Sequence, residues 1–147
     1  MEQYDSQLAQ RVWQRVRGET AGSQGSAKAF LLAEAEAGAG YRQLSRLMPE
    51  KKQLWRQLLG DTQRHMAYLR GMLYLTEGHR GTDIPIKPRQ EQPDALLRLC
   101  CTQCLKLAEQ YRAFADDPEY GWVYAAMADT KQAHFATILE VIGNMGK

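Results

Sequence analysis

The sequence predicts an all-α protein, an antiparallel four-helix bundle with one long crossover connection. Along four long segments, apolar residues recur at alternating steps of three and four, which is the period of a helix that buries one face. The connections between these segments are short, long and short, and this order predicts two helical hairpins joined by a crossover. With 147 residues, the chain is long enough for one domain whose core folds without disulfide bonds.

The composition excludes several classes of protein. The hydrophobic content of 44% and charged content of 24% are ordinary globular values, and the net charge of +2 gives no strong field for nucleic acid. No apolar run approaches the roughly 20 residues that span a bilayer, and the N-terminus lacks the pattern of a secretory signal. We therefore expect a cytoplasmic protein without a transmembrane segment and without a nucleic-acid partner.

Residues 1–25 are expected to form an N-terminal region that precedes a bundle over residues 26–147. Residues 6–17 favour a short extra amphipathic helix, with apolar residues on one side and arginines elsewhere. We interpret this helix as a segment that docks on its own bundle or on a protein partner, and a membrane-surface helix is the alternative. Residues 18–25 have the composition of a linker.

Each of the four predicted long helices has recognisable ends. They run from near Ser26 to Met48, from Glu50 to Glu77, from Asp94 to Ala115, and from after Pro118 to about Asn144. Serine is a good N-cap residue, and proline is compatible with the first position of a helix. The connection around residues 79–92 contains glycine and proline and has no helical period, so we interpret it as the crossover.

Six polar residues lie on or beside the apolar stripes of these helices. They are Glu34 on the first helix, Thr62 and His65 on the second, Gln103 at the edge of the third stripe, and Lys131 and His134 on the fourth. A buried polar group without a partner costs about 1–3 kcal/mol, so we expect these residues to meet in one polar layer of the core. The expected centre of the layer is an ion pair between Glu34 and Lys131. The alternative is that Lys131 extends its amine to solvent.

This set of residues resembles the ferritin-like superfamily, and within it the rubrerythrin-type domains. A carboxylate-bridged two-metal bundle uses a Glu from each of two helices and a Glu-x-x-His motif from each of the other two. The corresponding positions here are Glu34, Gln103, Thr62-Gln-Arg-His65 and Lys131-Gln-Ala-His134. Ala33–Tyr41 resembles the first-helix metal motif of that family, and Glu109–Ala115 is similar to the end of its third helix. The resemblance covers about residues 26–145.

The same comparison shows why the two-metal site is expected to be degenerate. Acids are missing at three of the six expected ligand positions, which are occupied by Thr62, Gln103 and Lys131. Two divalent ions carry four positive charges, whereas this layer offers one carboxylate and an additional ammonium that would repel them strongly. We therefore expect no cofactor. The alternative is a single iron or zinc ion held by the residual ligands Glu34, His65 and His134, with or without Asp61.

Two further groups of residues contain side chains that can bind metal. Asp61 lies one residue before Thr62 and Asp129 two residues before Lys131, and we expect both on solvated helix flanks. The odd cysteine cluster of Cys100, Cys101 and Cys104 is not a disulfide framework. It lacks the second C-x-x-C that a rubredoxin-like iron site needs. We expect Cys100 and Cys104, one turn apart on the inward face, to pack as small hydrophobes, and redox or metal use of the cysteines is the alternative. The Trp and Tyr residues are expected to serve in packing.

These observations favour a non-enzymatic role. We expect a homodimeric ferritin-like bundle that has lost its two-metal site and acts as a structural or interaction module. One alternative, implied by the resemblance, is a rubrerythrin-like oxidoreductase or peroxidase that holds one metal ion. The other is a small-molecule binding bundle in which the polar layer serves as the recognition surface.

Overall fold

A computed structural model describes residues 22–81, 84–87 and 91–146 of the chain, with the backbone alone for residues 22–26. Within these ranges all regular secondary structure is helical and no strand occurs, which confirms the predicted all-α class. The predicted N-terminal helix over residues 6–17 lies outside the described residues. No helix in the described part of the chain is long and apolar enough to cross a membrane.

Four long helices make up the described fold. They are α1 (Gly22–Leu47), α2 (Lys52–Glu77), α3 (Pro93–Arg112) and α4 (Gly121–Gly143). A 3₁₀ turn over Pro49–Lys51 joins α1 to α2. Helix α1 begins before the predicted start near Ser26, so residues 22–25 of the predicted linker are helical. The other predicted bounds agree with the structure to within about three residues.

The ends of α2 and α3 follow from glycine and proline chemistry. Gly78 has a φ of 79°, and its N–H donates to the carbonyl of Tyr74, which closes the last turn of α2. Glycine adopts this left-handed conformation without the penalty that a Cβ would impose. Pro93 occupies the start of α3, where the missing N–H is not needed by the helix.

A tight turn connects α3 to α4. The Asp117 carboxylate accepts hydrogen bonds from the backbone N–H groups of Glu119 and Tyr120, and these bonds fix the approach to α4. At the first residue of α4, a Cβ on Gly121 would lie 2.4 Å from the carbonyl oxygen of Ala115. Only glycine therefore fits this approach without a shift of the turn.

The apolar stripes form two core clusters, with buried polar residues between them along the helices. The first cluster combines Ala37, Tyr41, Leu44 and Met48 of α1 with Trp55 and Leu58 of α2, Leu96, Leu97, Cys100, Cys101 and Cys104 of α3, and Ile138 and Val141 of α4. The second combines Ala27, Phe30 and Leu31 with Leu69, Met72, Leu73, Leu107, Tyr111, Val123, Tyr124, Met127 and Ala128. The buried polar residues are Glu34, Thr62, His65, Lys131 and His134. The start of α1 thus packs near the end of α2.

Candidate functional site

Glu34 is the centre of a polar network between the two apolar clusters. Its Oε1 lies 2.9 Å from Nζ of Lys131, and both side chains are fully buried. Its Oε2 accepts hydrogen bonds from Nδ1 of His65 at 2.8 Å and from the hydroxyl of Tyr111 at 2.6 Å. Because a carboxylate only accepts, His65 carries a proton on Nδ1. The predicted ion pair is therefore confirmed, and Lys131 does not extend to solvent.

The ammonium of Lys131 is held mainly by charge. Although Nζ is close to Glu34, neither Nζ nor Oε1 of Glu34 has a partner in hydrogen-bond geometry among the described residues. Nζ also lies 5.7 Å from the centroid of the Tyr41 ring, within the range of a cation–π interaction. Coulombic attraction across a dry interior is strong without exact alignment of a donor. The ammonium therefore keeps donor capacity that the protein does not use.

The surroundings of Glu34 keep it ionised. Burial acts to raise the pKa of Glu34, but the Lys131 ammonium and the hydrogen bonds from His65 and Tyr111 outweigh burial, so the net pKa is lowered. Burial and the Glu34 carboxylate together raise the pKa of Tyr111 well above its usual value. Tyr111 is therefore a permanent hydrogen-bond donor to this carboxylate.

A second chain of hydrogen bonds passes through His134. The Nε2 atom of His134 lies 2.9 Å from Oδ2 of Asp61, and its Nδ1 lies 3.1 Å from the hydroxyl of Tyr41. The same hydroxyl is 3.1 Å from Sγ of Cys104. Both ring nitrogens of His134 are therefore engaged, one towards the partly exposed Asp61 and the other towards the buried core.

The protons of this second chain can be assigned. Burial and the charge of Lys131 lower the pKa of His134 to about 4, against the opposing effect of Asp61, so the ring is neutral at neutral pH. Because the carboxylate of Asp61 accepts, the single ring proton is on Nε2 and Nδ1 is an acceptor. Tyr41 then donates to His134. Its oxygen is left to accept from the thiol of Cys104, whose pKa burial raises.

Two predicted members of the polar layer do not join these networks. Thr62 is fully buried, but its hydroxyl donates to the carbonyl of Leu58 on the same helix at 3.0 Å. Gln103 is half-buried and lines two surface clefts, so its predicted place beside Glu34 is corrected. Gln103 lies one position off the inward stripe of α3. Tyr111, which lies on that stripe, reaches Glu34 instead.

The structure gives Asp61 and two tyrosines roles that differ from those predicted from the sequence. The prediction that Asp61 lies on a solvated flank is wrong, because its side chain is one-third exposed and accepts from His134. Asp129 does lie on such a flank, 71% exposed and paired with Arg112. The hydroxyl contacts of Tyr41 and Tyr111 were missed because the tyrosines were assigned to packing. The available signal was their position on the inward stripes, with Tyr41 two turns after Glu34.

The cysteines are buried free thiols, as their hydrophobic spacing predicted. None of Cys100, Cys101 and Cys104 forms a disulfide bond. All three belong to the first apolar cluster. Cys104 differs from the other two because its thiol also completes the hydrogen bonds of Tyr41. Its role here is therefore structural support of the second chain of hydrogen bonds.

The three residual ligand candidates occupy different parts of the site. His65 contacts Glu34, whereas His134 contacts Tyr41 and Asp61. In the described part of the chain, no group of three or more His, Cys, Asp or Glu side chains is arranged to hold a metal ion. An ion bound by Glu34, His65 and His134 together, with Nδ1 of His134 as the ligand, would require this nitrogen to give up its hydrogen bond from Tyr41, whereas the bond from Nε2 to Asp61 could remain.

The resemblance to the ferritin-like superfamily rests on the residues quoted above. Comparison of the chain with protein-family models, with curated proteins and with solved structures finds no match to any of them. A functional proposal must therefore come from the chemistry of the site itself, which consists of one buried carboxylate, one buried ammonium and their hydrogen-bonding neighbours.

A cleft between α1 and α3 opens towards this site. We name it the α1–α3 cleft, and its volume is about 250 Å³. It is lined by Ala29, Ala33, Glu36 and Ala37 of α1, by Gln103, Cys104, Lys106, Leu107 and Gln110 of α3, and by Lys131 of α4. Three of the four α1 residues that line the cleft are alanines, whose small side chains leave this space between α1 and α3. The cleft therefore reaches from the protein surface to Lys131, whose side chain is fully buried.

Proposed function

We propose that the chain is a ferritin-like bundle of antiparallel helices that has lost its carboxylate-bridged two-metal site. In this proposal a buried ion pair takes the structural place of the metal centre. The protein acts in the cytoplasm as a structural or interaction module, as a homodimer, and not as a redox enzyme.

A single contact carries this proposal. Nζ of Lys131 lies 2.9 Å from Oε1 of Glu34, and neither side chain is exposed to solvent. In a two-metal bundle an inward carboxylate of this kind neutralises divalent cations. Here a cation that belongs to the chain neutralises it, so the charge of the core is balanced without metal.

The donor set does not fit a pair of divalent ions. The Glu34 carboxylate is already shared by Lys131, His65 and Tyr111, and no second buried acid lies beside it among the described residues. An ammonium close to two divalent cations in a low-dielectric interior would repel them strongly. The residues present therefore favour a metal-independent core.

The substitution Lys131→Glu tests this proposal, because it restores one Glu-x-x-His motif. In metal-free buffer the variant should be destabilised by roughly 3 kcal/mol or more, since two buried carboxylates would then face each other. Zinc or ferrous ion should recover part of the loss, because a ligand that binds only the folded state stabilises it. Thermal melts with and without metal measure both effects.

Lys52→Glu is the matched control for this experiment. Lys52 is an exposed lysine at the start of α2 and does not line the α1–α3 cleft, so the same change of charge should alter the melting temperature little and should create no response to metal. A Lys131→Glu variant that melts like the parent and ignores metal would overturn the proposal that a cation has replaced the metal centre.

The one-ion oxidoreductase alternative leads to a different result. It requires Nδ1 of His134 to exchange its hydrogen bond from Tyr41 for the metal ion, while Nε2 keeps Asp61, and it places the ion beside the Lys131 ammonium. Elemental analysis of protein purified without chelator separates the two ideas. One equivalent of iron or zinc that disappears in His134→Gln would favour the alternative over the metal-independent module.

The interaction role is tested by the state of assembly. Trp122 at 76% and Leu75 at 72% are the most exposed large hydrophobic side chains of the described residues. Tryptophan is enriched where proteins meet, so we expect Trp122→Ser to weaken the homodimer and Leu139→Ser to act as a comparison at another exposed apolar position. Sedimentation velocity measures the change. A parent protein that stays monomeric at micromolar concentration contradicts this part of the proposal.

A small-molecule binding bundle is the second candidate function, and the α1–α3 cleft favours it. Lys131 is among the residues that line the cleft, and apart from its ion pair with Glu34 its Nζ has no partner in hydrogen-bond geometry among the described residues. A small ligand with a carbonyl oxygen could accept this hydrogen bond. Saturation-transfer NMR with small amides and ketones should detect binders, and Ala33→Phe should remove them by filling the cleft. Binding that survives Ala33→Phe, or a complete absence of binders, counts against this candidate.

A further inference from the structure

A separate groove lies between α1, α2 and part of the crossover connection. Its volume is about 410 Å³, within the range of small-molecule sites. Helix α1 contributes Arg42 and Arg46, helix α2 contributes Arg70, and Ile84 and Ile86 come from the crossover. We name it the arginine groove. It is distinct from the α1–α3 cleft, because the two share no lining residue.

Among the described residues, the charged side chains that line the arginine groove are all arginines. Three arginines line it, and no Asp or Glu is found among the described residues that do so. Arg42 and Arg46 are exposed and lie four residues apart on α1, where like charges repel each other. Neither side chain is part of the core, so the packing of the bundle does not explain why two arginines lie side by side here. An anion between the two guanidinium groups would relieve it.

The floor of the groove is apolar and close to the backbone. Leu59 and Met66 of α2 and the isoleucines of the crossover line it, together with Ala35 and Gly38 of α1. A Cβ on Gly38 would meet Leu59 at 3.4 Å and Thr62 at 3.7 Å, so glycine deepens the groove at this point. The groove therefore combines an apolar floor with a cationic rim.

We propose that the arginine groove binds a small amphipathic anion, with a phosphate or carboxylate head at Arg42 and Arg46 and a short apolar tail on the floor. Guanidinium groups match both heads through paired, charge-assisted hydrogen bonds. The tail would displace water from Leu59, Met66 and Ile86, and the burial of this apolar surface would favour binding. This site does not depend on the polar core, so it can be tested independently of the metal-replacement proposal.

The test is titration of the intact protein with matched probes, followed by calorimetry and by amide chemical shifts. Octyl phosphate and octanoate have a head and a tail, octanol lacks the charge, and inorganic phosphate lacks the tail. We expect either anionic amphiphile to bind at least roughly tenfold more tightly than octanol or inorganic phosphate. Affinity should fall as salt is added, because the arginines are exposed. The shifted amides should fall within residues 35–46 and 59–70.

Variants assign the binding to the groove. Arg42→Gln combined with Arg46→Gln should weaken octyl phosphate binding by roughly tenfold or more. Arg56→Gln, an exposed arginine on α2 outside the groove, should leave the binding unchanged. Ala35→Leu, which places a larger side chain in the groove, should weaken octyl phosphate binding while the helix is kept. Circular dichroism establishes that each variant is folded.

Three results would overturn the proposal. In the first, octyl phosphate and octanoate bind the protein no more tightly than octanol does. In the second, the folded variant that lacks both arginines binds octyl phosphate as tightly as the parent does. The third is cosedimentation with anionic vesicles without binding of monomeric octyl phosphate, which would indicate a membrane surface as the partner. If the double arginine variant loses binding while Arg56→Gln keeps the affinity of the parent, the result supports the arginine groove as the binding site.

Discussion

Removal of the charge of Lys131 while its shape is kept should destabilise the protein strongly. The substitution Lys131→Met replaces the ammonium by a side chain of similar length and leaves the Glu34 carboxylate fully buried. Glu34 then keeps only the hydrogen bonds from His65 and Tyr111. Breaking one side of a buried ion pair costs about 3–5 kcal/mol. Domains of this size have a total free energy of unfolding of about 5–15 kcal/mol, so this is a large fraction of it.

The pH dependence of this loss has a defined sign. In the parent, the lowered pKa of Glu34 contributes stability that is present above the unfolded value near 4.5 and is lost as pH falls through the folded pKa. Without Lys131, the effect of burial is less opposed, and the pKa of Glu34 should rise. The difference in stability between Lys131→Met and the parent should therefore shrink as the pH is lowered from about 7 towards 5.

A double-mutant cycle with Glu34→Gln gives the coupling between the two residues. The amide oxygen of Gln can still accept from His65 and Tyr111, and the double variant contains no buried charge at this pair. It should therefore be less destabilised than the sum of the single variants, with a coupling free energy of roughly 2 kcal/mol or more. Urea unfolding followed by circular dichroism measures each free energy. Lys106→Met is the exposed control, with an expected change within about 0.5 kcal/mol.

Two outcomes would refute this reasoning. If Lys131→Met unfolds within about 1 kcal/mol of the parent at neutral pH, then Lys131 is not the countercharge of Glu34. If the single variants are destabilised but their effects add, then each residue acts separately and the pair is not a unit.

Three further predictions concern other parts of the structure. Because the pKa of His134 is lowered from 6.5 to about 4, the unfolded chain binds a proton that the folded chain does not, so stability should fall as pH decreases through this range. Urea unfolding at several pH values should show a loss of roughly 3 kcal/mol that is absent in His134→Phe. Tyr111→Phe should cost about 1–3 kcal/mol in the same assay and should raise the pKa of Glu34, measured by carboxyl NMR. Gly121→Ala should lower the melting temperature, whereas Gly60→Ala, with nothing near the added Cβ, should raise it slightly.

Each of these three has an outcome that contradicts it. A parent protein whose stability is flat between about pH 6.5 and 4 would mean that His134 is not buried as a neutral ring. If the pKa of Glu34 is unchanged in Tyr111→Phe, the hydroxyl of Tyr111 does not donate to the Glu34 carboxylate. Equal melting temperatures for the two glycine variants would mean that the turn before α4 can shift to accommodate a Cβ at position 121 with no loss of stability.

The sequence predicted the core well because helical periodicity determines which face is buried. On α1, the residues that recur at alternating steps of three and four are all buried, and they are Ala27, Phe30, Glu34, Ala37, Tyr41, Leu44 and Met48. The ion pair between Glu34 and Lys131 was also predictable, since a mid-stripe carboxylate requires a partner and only one inward cation was available. These inferences need the period of each helix but no knowledge of how the helices are rotated against each other.

The remaining details depend on helix rotation and register, which periodicity does not supply. Asp61 lies about 100° around α2 from the inward Thr62, and although Thr62 is buried as predicted, the carboxylate of Asp61 reaches His134 from the edge of the buried face. The choice between Gln103 and Tyr111 as the α3 partner of Glu34 depends on how α3 slides along α1. The start of α1 was predicted too late because glycines 22 and 25 lower helix propensity, whereas the helix includes them.

If Lys131 takes the place of a metal centre, as we propose, the purified protein should hold no transition metal, and metal analysis measures this. The protein should be prepared without chelator, analysed for transition metals, incubated aerobically with ferrous ion, and melted with and without EDTA. We expect no stoichiometric metal, no oxo-bridge absorption after iron loading and no change of melting temperature with chelator. Two equivalents of iron per chain, together with destabilisation by EDTA, would contradict the account.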